Sequence, residues 1–334
     1  IELAVWNDNT SRWHRTYYAK GVLCQTAWEE GFKGNDSKKT SIYPDQLQVA
    51  FKSYQKALEL GAGNRTRSSI ANRYYSLAND FQKLGEQQFK KEEYSSAAES
   101  FEHALQITRS PLISVKTDSN LIYNTAIAHY EAANWEKASG YMESLHNNGH
   151  SVDISLLLYQ VFLKMEEPNK AENALVEALE KHRNEKAIVL HLVDHLVARD
   201  RNEEAVEYLT KAMEARPEDP VFPWTLGLVY KQMDRYQQAV EVLEVAYGLD
   251  PERTGISYSL GICYFNMGVE VNDAARKIAD RQQYEAARQQ AREYLKESVN
   301  WLEIAYQLDP SYENTRSKLS QLYDRLQLNR EKPL

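Results

Sequence analysis

Residues 220–253 read PVFPWTLGLVYKQMDRYQQAVEVLEVAYGLDPER, and in this stretch Leu226, Gly227, Tyr230, Tyr236, Ala239, Leu243, Ala246 and Pro251 form a pattern that recurs. Stepping back 34 positions from Ala239, Leu243, Ala246 and Pro251 gives Ala205, Leu209, Ala212 and Pro217. A second step of 34 gives Ala171, Leu175 and Ala178, and a step of 33 gives Ala138, Met142 and Leu145, with Trp135 where Tyr236 stands. Self-similarity at a fixed period of this length is the mark of a repeat architecture.

Each period accommodates two antiparallel helices. Small residues at Gly227 and Ala239 let the helices approach, Tyr230 and Leu243 fill the space between them, and Ala246 packs where the next repeat crosses. Pro251 cannot continue a helix, so its neighbours form the turn into the next one. One such pair cannot bury its apolar face alone, so successive pairs must stack.

Composition narrows the alternatives. With 13 glycines and 9 prolines in 334 residues the chain is neither collagen-like nor linker-like. A hydrophobic content of 43% supplies a core and excludes wholesale disorder. No stretch reaches the ~18 consecutive apolar residues of a membrane span. A net charge of −8 argues against a nucleic-acid-coating surface, which needs a basic face. Two cysteines make neither a disulfide framework nor a multi-cysteine metal site.

Outside the regular stretch the repeats are distorted. Gly85, Tyr94, Ala97, Phe101 and Ala104 mark a repeat at 66–110, opened by a long helical run from about Ser68 and left through a loop around Pro111. Gly21 belongs to the first helix of an earlier repeat and Ala50, Tyr54 and Ala57 to its second. Gly21 and Ala50 are 29 apart where a regular repeat has 12, and the surplus falls in a polar stretch, 31–44, expected to be a loop. At the other end Leu260, Gly261 and Tyr264 open a repeat that Ser298, Leu302, Ala305 and Pro310 close. Its insert, about 268–296, is rich in Ala, Gln, Arg and Glu and is expected to lengthen both helices into a projecting hairpin. The resulting assignment is 14–62, 66–110, 119–151, 152–185, 186–219, 220–253 and 254–313, with an amphipathic capping helix over 312–326. Residues 1–6 look like the remnant of a further helix.

The residues of 220–253 resemble the tetratricopeptide repeat (TPR) family, whose pattern W-x2-L-G-x2-Y…A-x3-F…A…P they meet almost fully, with Pro223 where the tryptophan usually sits. The resemblance implies an all-α fold: a single right-handed superhelical solenoid of about seven helix-turn-helix repeats. It also implies where a partner binds, because in this family the first helix of each repeat lines the concave groove. The matching positions here are Tyr123, Tyr130, Leu156, Gln160, Leu163, Leu190, Asp194 and Val197, continuing with Trp224, Leu228, Lys231, Tyr258, Ile262 and Phe265. They form an aromatic and aliphatic stripe with few charges, and Trp and Tyr are frequent anchors for a bound segment. Some of them are equally suited to completing the core. Family members that clamp a C-terminal carboxylate carry Lys, Asn and Arg at positions held here by Leu156/Gln160, Leu190/Asp194 and Trp224/Leu228, so that clamp is not present.

No residues group into a catalytic constellation: the sequence has no Gly-rich phosphate loop, G-x-S-x-G, CxxC or HExxH. His191 and His195 have a spacing that can bind metal, but in repeat register His195 faces the partner helix, and the core reading is preferred. His146 and His150 flank Asn147-Asn148-Gly149 and read as solvated turn residues. Cys24 and Cys263 fall at core positions of first helices and read as buried thiols. Arg276, Lys277, Arg281, Arg288, Arg292 and Lys296 are interspersed with Asp280, Glu285 and Glu293, so this stretch reads as a solvated helical hairpin in preference to a docking arm.

The expected function is a non-enzymatic scaffold, without cofactor or metal, that holds a peptide segment or folded protein in its groove; self-association through the exposed ends is left open. The alternative is a glycan- or small-ligand-binding protein, since 22 tyrosines offer aromatic platforms for sugar rings. The loop in the first repeat, the long last repeat and residues 264–272 (YFNMGVEVN) resemble exported TPR proteins of Gram-negative envelopes. That implies a periplasmic or outer-membrane-associated location, the alternative being cytoplasmic. A chain starting at Ile1 is compatible with a signal peptide or lipid anchor removed ahead of it.

Overall fold

A computed structural model of the chain describes residues 1–327 except 44, 115, 117 and 184. The end of the expected loop at 31–44, two positions of the 108–119 exit, one position of the 152–185 repeat and everything past 327 lie outside the described residues. Among the described residues there are seventeen helices and no strand, so the fold is all-α. The chain divides into two compact units, Ile1–Ala174 and Leu175–Leu334.

In the first unit α1 (Glu2–Trp6) precedes the pair α2 (His14–Lys33) and α4 (Gln46–Glu59), with the short α3 (Ser37–Thr40) between them. Then come α5 (Asn64–Lys90) with α6 (Tyr94–Thr108), α7 (Ser119–Glu131) with α8 (Trp135–Asn147), and α9 (Val152–Lys164). The unit boundary falls inside α10 (Pro168–Lys181). The second unit pairs α11 (Lys186–Val197) with α12 (Asn202–Ala215), α13 (Val221–Gln232) with α14 (Tyr236–Leu249), and α15 (Thr254–Ala275) with α16 (Arg281–Leu308); α17 (Thr315–Leu326) packs on α16.

Glycine sets the approach of the two helices in four pairs. A Cβ on Gly21 would lie 2.5 Å from the Tyr54 ring, on Gly85 2.7 Å from Phe101, on Gly227 2.5 Å from Leu243, and on Gly261 2.6 Å from Leu302. These distances leave no room for a methyl group, so the large side chain of the second helix rests directly on the backbone of the first.

The turn inside five of the pairs, from α5–α6 to α13–α14, has one form. Glu92, Ala133, Glu166, Asp200 and Asp234 all adopt left-handed backbone, with φ of 62°, 54°, 59°, 58° and 58°. In each, the next residue's N–H bonds back to a carbonyl five residues earlier at 2.9 Å: Glu93 to Gln88, Asn134 to His129, Glu167 to Phe162, Arg201 to Leu196, and Arg235 to Tyr230. This is the bonding of a Schellman motif, which satisfies helix-end carbonyls without any side chain.

Two sequence expectations need correction. The stretch 31–44 is not simply a loop: α2 runs on to Lys33, and Asp36 caps α3 by accepting the Lys38 N–H at 3.0 Å. Gln46, buried in α4, holds the segment down by donating to the carbonyls of Cys24 and Lys39 and accepting the N–H of Ile42. His146 is not a solvated turn residue. It is 2% exposed, with Nδ1 2.9 Å from Ser155 Oγ on α9. The helix continues through Asn147, so the local Asn-Asn-Gly signal starts one residue later than it reads. His150 is exposed and stacks on Tyr123 at 6.0 Å between centroids.

Candidate functional site

In the first unit the candidate face consists of Tyr123 and Tyr130 on α7 and Leu156 and Gln160 on α9. The hydroxyl of Tyr130 donates to Gln160 Oε1 at 3.2 Å, joining neighbouring first helices across the face. Tyr130 also meets Trp135 edge-on, with centroids 5.5 Å apart. Tyr123 and Ile127 line, with Phe89, Phe101 and Asn124, an apolar pocket of about 290 Å³ that Glu86 and Lys90 border. Gln160 is exposed and Leu156 half-buried.

Beneath this unit lie two polar clusters with structural roles. Gln25, fully buried on α2, accepts the Tyr54 hydroxyl proton at 2.9 Å; its amide reaches Ser76 Oγ at 2.7 Å and Asp80 Oδ2 at 3.3 Å. Burial, reinforced by the neighbouring carboxylate of Glu29, pushes the Asp80 carboxyl up to about 7. In the second cluster Glu102 meets His129 Nε2 at 3.0 Å, Lys137 Nζ at 2.9 Å and the Tyr141 hydroxyl at 3.3 Å, tying α6 to α7 and α8. Burial opposes ionisation of Glu102, but Lys137 and His129 outweigh it and hold the group below the usual carboxylate range.

In the second unit the face consists of Leu190 and Asp194 on α11, Trp224, Leu228 and Lys231 on α13, and Tyr258, Ile262 and Phe265 on α15. First helices α13 and α15 touch directly. Asp194 is exposed; Leu190, Leu228, Lys231 and Ile262 are half-buried.

The aromatic members are less available than their register suggests. Trp224 lies against the start of α15, where a Cβ on Gly255 would come within 2.8 Å of its ring. The Arg253 guanidinium covers the indole at 5.0 Å from the centroid, and Nε1 is buried without a hydrogen-bond partner among the described residues. Tyr258 is only 9% exposed and meets Tyr312 at 5.3 Å between centroids, in a cluster with Leu319, Leu322 and Tyr323 of α17. Burial, with the Glu313 contact adding, pushes its hydroxyl up to about 12. Phe265 carries Lys318 Nζ over its ring at 4.6 Å. The C-terminal helix thus covers much of this end, and Tyr258 works as core.

Other sequence candidates are placed as follows. His195 is buried and His191 half-buried on α11; among the described residues no group of three or more His, Cys, Asp or Glu is arranged to hold a metal. Cys24 and Cys263 are buried and unbridged, and burial pushes the Cys263 thiol up to about 12. Among the described residues no helix is long and apolar enough to cross a membrane.

Comparison with known proteins puts two family models on the chain. Residues 162–222 and residues 224–253 each match a model described as tetratricopeptide repeat. No curated protein matches. Among solved structures, YrrB, described as a TPR protein with an unusual peptide-binding site, is 16% identical, with 68% of this chain and 99% of that one covered at a TM-score of 0.43. A TPR repeats protein from Bacteroides fragilis is 16% identical, covering 74% and 98% at a TM-score of 0.40. MamA from Desulfovibrio magneticus is 20% identical, covering 55% and 85% at a TM-score of 0.39.

Proposed function

Residues 162–222 and 224–253 carry tetratricopeptide repeats, and from that premise we propose that the protein is a non-enzymatic interaction scaffold that binds a peptide segment or a folded partner on the face of its first helices. The observation that supports this most directly is the pairing of α13 with α15. Between them, Leu228, Lys231 and Ile262 stay half-exposed although the neighbouring core is closed. Leu228 is half-buried, so part of its apolar side chain stays accessible on this face. In the first unit the pocket beside Tyr123 offers a socket for one apolar side chain of a partner.

We further propose that the scaffold works in the periplasm or at the outer membrane of a bacterial envelope, a reading that rests on the resemblance of residues 264–272 and of the long last repeat. One experiment addresses both proposals: crosslinking capture of partners from separated envelope and cytoplasmic fractions of the source cell, read by mass spectrometry. The baits are wild type, Leu228→Glu and Tyr123→Ala, each checked for unchanged helicity by circular dichroism. One protein retained from the envelope fraction by wild type and lost by a substituted bait is the expected result. Retention indifferent to both substitutions would overturn the face, and retention from the cytoplasmic fraction alone would overturn the location.

A further inference from the structure

The arginines of the last repeat's hairpin are solvent-exposed, as the sequence implies, and they are not scattered. Arg276 at the end of α15, Arg288 and Arg292 on α16, and Arg325 on α17 converge on one open cleft of about 530 Å³. Its floor is apolar, formed by the buried side chains of Ala291, Leu295 and Leu326.

Two of the four guanidiniums are fixed by the fold. Arg288 Nη1 donates to Asn272 Oδ1 at 3.0 Å, bracing the hairpin, and Arg292 Nη2 donates to the Leu326 carbonyl at 3.3 Å, closing the end of α17. A guanidinium carries five N–H donors, so each of these contacts orients the group while leaving most donors turned to the cleft. The other two have little structural work. Arg276 makes a surface ion pair with Asp273 at 3.4 Å and is 71% exposed, and Arg325 stands on the exposed side of α17. The carboxylate lining the cleft is Glu285, which Arg281 engages at 3.0 Å. In a chain of net charge −8, this is a local excess of positive charge.

We propose that this cleft binds an acidic protein segment, pairing its carboxylates with the four arginines. Arginine forks match carboxylates bidentately, and such pairs fix orientation as well as charge. The choice of a protein segment rests on the scaffold reading above; the charge and shape of the cleft do not. The cleft is a surface apart from the first-helix face, so the two are separable by substitution.

The test is fluorescence anisotropy with a labelled peptide of alternating glutamate and leucine, against its glutamine-for-glutamate isostere and against tripolyphosphate. The proteins are wild type, Arg276→Gln/Arg325→Gln and Leu228→Glu. The expected result is that wild type prefers the glutamate peptide by about tenfold or more, and that the double arginine variant loses that preference with its thermal melt unchanged. Leu228→Glu should bind as wild type does. Equal affinity for the two peptides, or affinity that the double variant leaves intact, overturns the proposal. Loss in Leu228→Glu alone overturns it too, but in favour of the first-helix face, so the scaffold reading survives. Tripolyphosphate bound in an arginine-dependent way, with the glutamate peptide ignored, replaces the protein segment by a small anion.

Discussion

At the turns inside the helix pairs, Glu92, Ala133, Glu166, Asp200 and Asp234 hold a backbone conformation that glycine adopts at no steric cost. The two main-chain bonds that close each turn use no side chain, and only at Asp234 does the side chain make a local bond, accepting the Tyr236 hydroxyl at 2.6 Å. Ala133 is the simplest case, having only a methyl group to lose. Ala133→Gly is therefore expected to raise stability by about 1 kcal/mol, seen as a higher urea midpoint with unchanged slope. Asp80 supplies the opposite kind of residue. Its carboxyl titrates near 7 in the fold against about 3.9 in the unfolded chain. Its stabilising contribution is fully present below about pH 4 and is lost as pH rises through 7, because the folded state holds the proton that the unfolded state releases. Asp80→Asn, which keeps a polar partner for Gln25, should remove this loss and leave the variant more stable than wild type at pH 8 by up to ~3 kcal/mol. Urea titrations at pH 5 and pH 8 read the difference.

Among the elements, α17 closes off one core cluster of the second unit. Its twelve residues place Leu319, Leu322 and Tyr323 against Leu302 and Tyr258, closing the apolar end of the last pair. Leu319→Ala should cost about 3 kcal/mol by leaving a cavity that neighbouring helices cannot fill. Urea unfolding followed by circular dichroism reads the loss as a lower midpoint. The α15–α16 hairpin is likewise an element and not a loose insertion. A Cβ on Gly268 would meet Leu295 at 2.8 Å, and Met267, Ala275 and Ala291 are buried, so the lengthened arm has a seam of its own.

Taken as a whole molecule, the helical repeat was legible because its determinants are local and periodic. Gly227 and Leu243 lie in neighbouring helices of one pair, and their spacing recurs at Gly85 and Phe101. What the sequence left hidden are side-chain contacts between different elements. His146 finds Ser155 on the next helix, a partner no turn pattern reveals. Tyr258 occupies a groove register, but whether it faces solvent depends on where α17 lands, which periodicity does not encode. The same placement brings Arg325 to Arg288 and Arg292, turning a mixed-charge stretch into a cleft. The left-handed turn residues escaped notice because none of the five is glycine.

The hairpin seam has one more implication. Gly261 faces Leu302 and Gly268 faces Leu295, so matching contacts recur after seven residues on both arms. Seven residues make almost two full turns of helix, and a heptad removed from each arm would bring the outer contacts down onto the inner ones with each stripe turned by only about 20°. Removing five from each would swing the stripes by about 140° and separate them. The reach of this arm can thus change in whole heptads while the repeat at its base keeps its packing, whereas the arginine cleft, which also needs Arg325 and Leu326 of α17, depends on the arm's register against that helix.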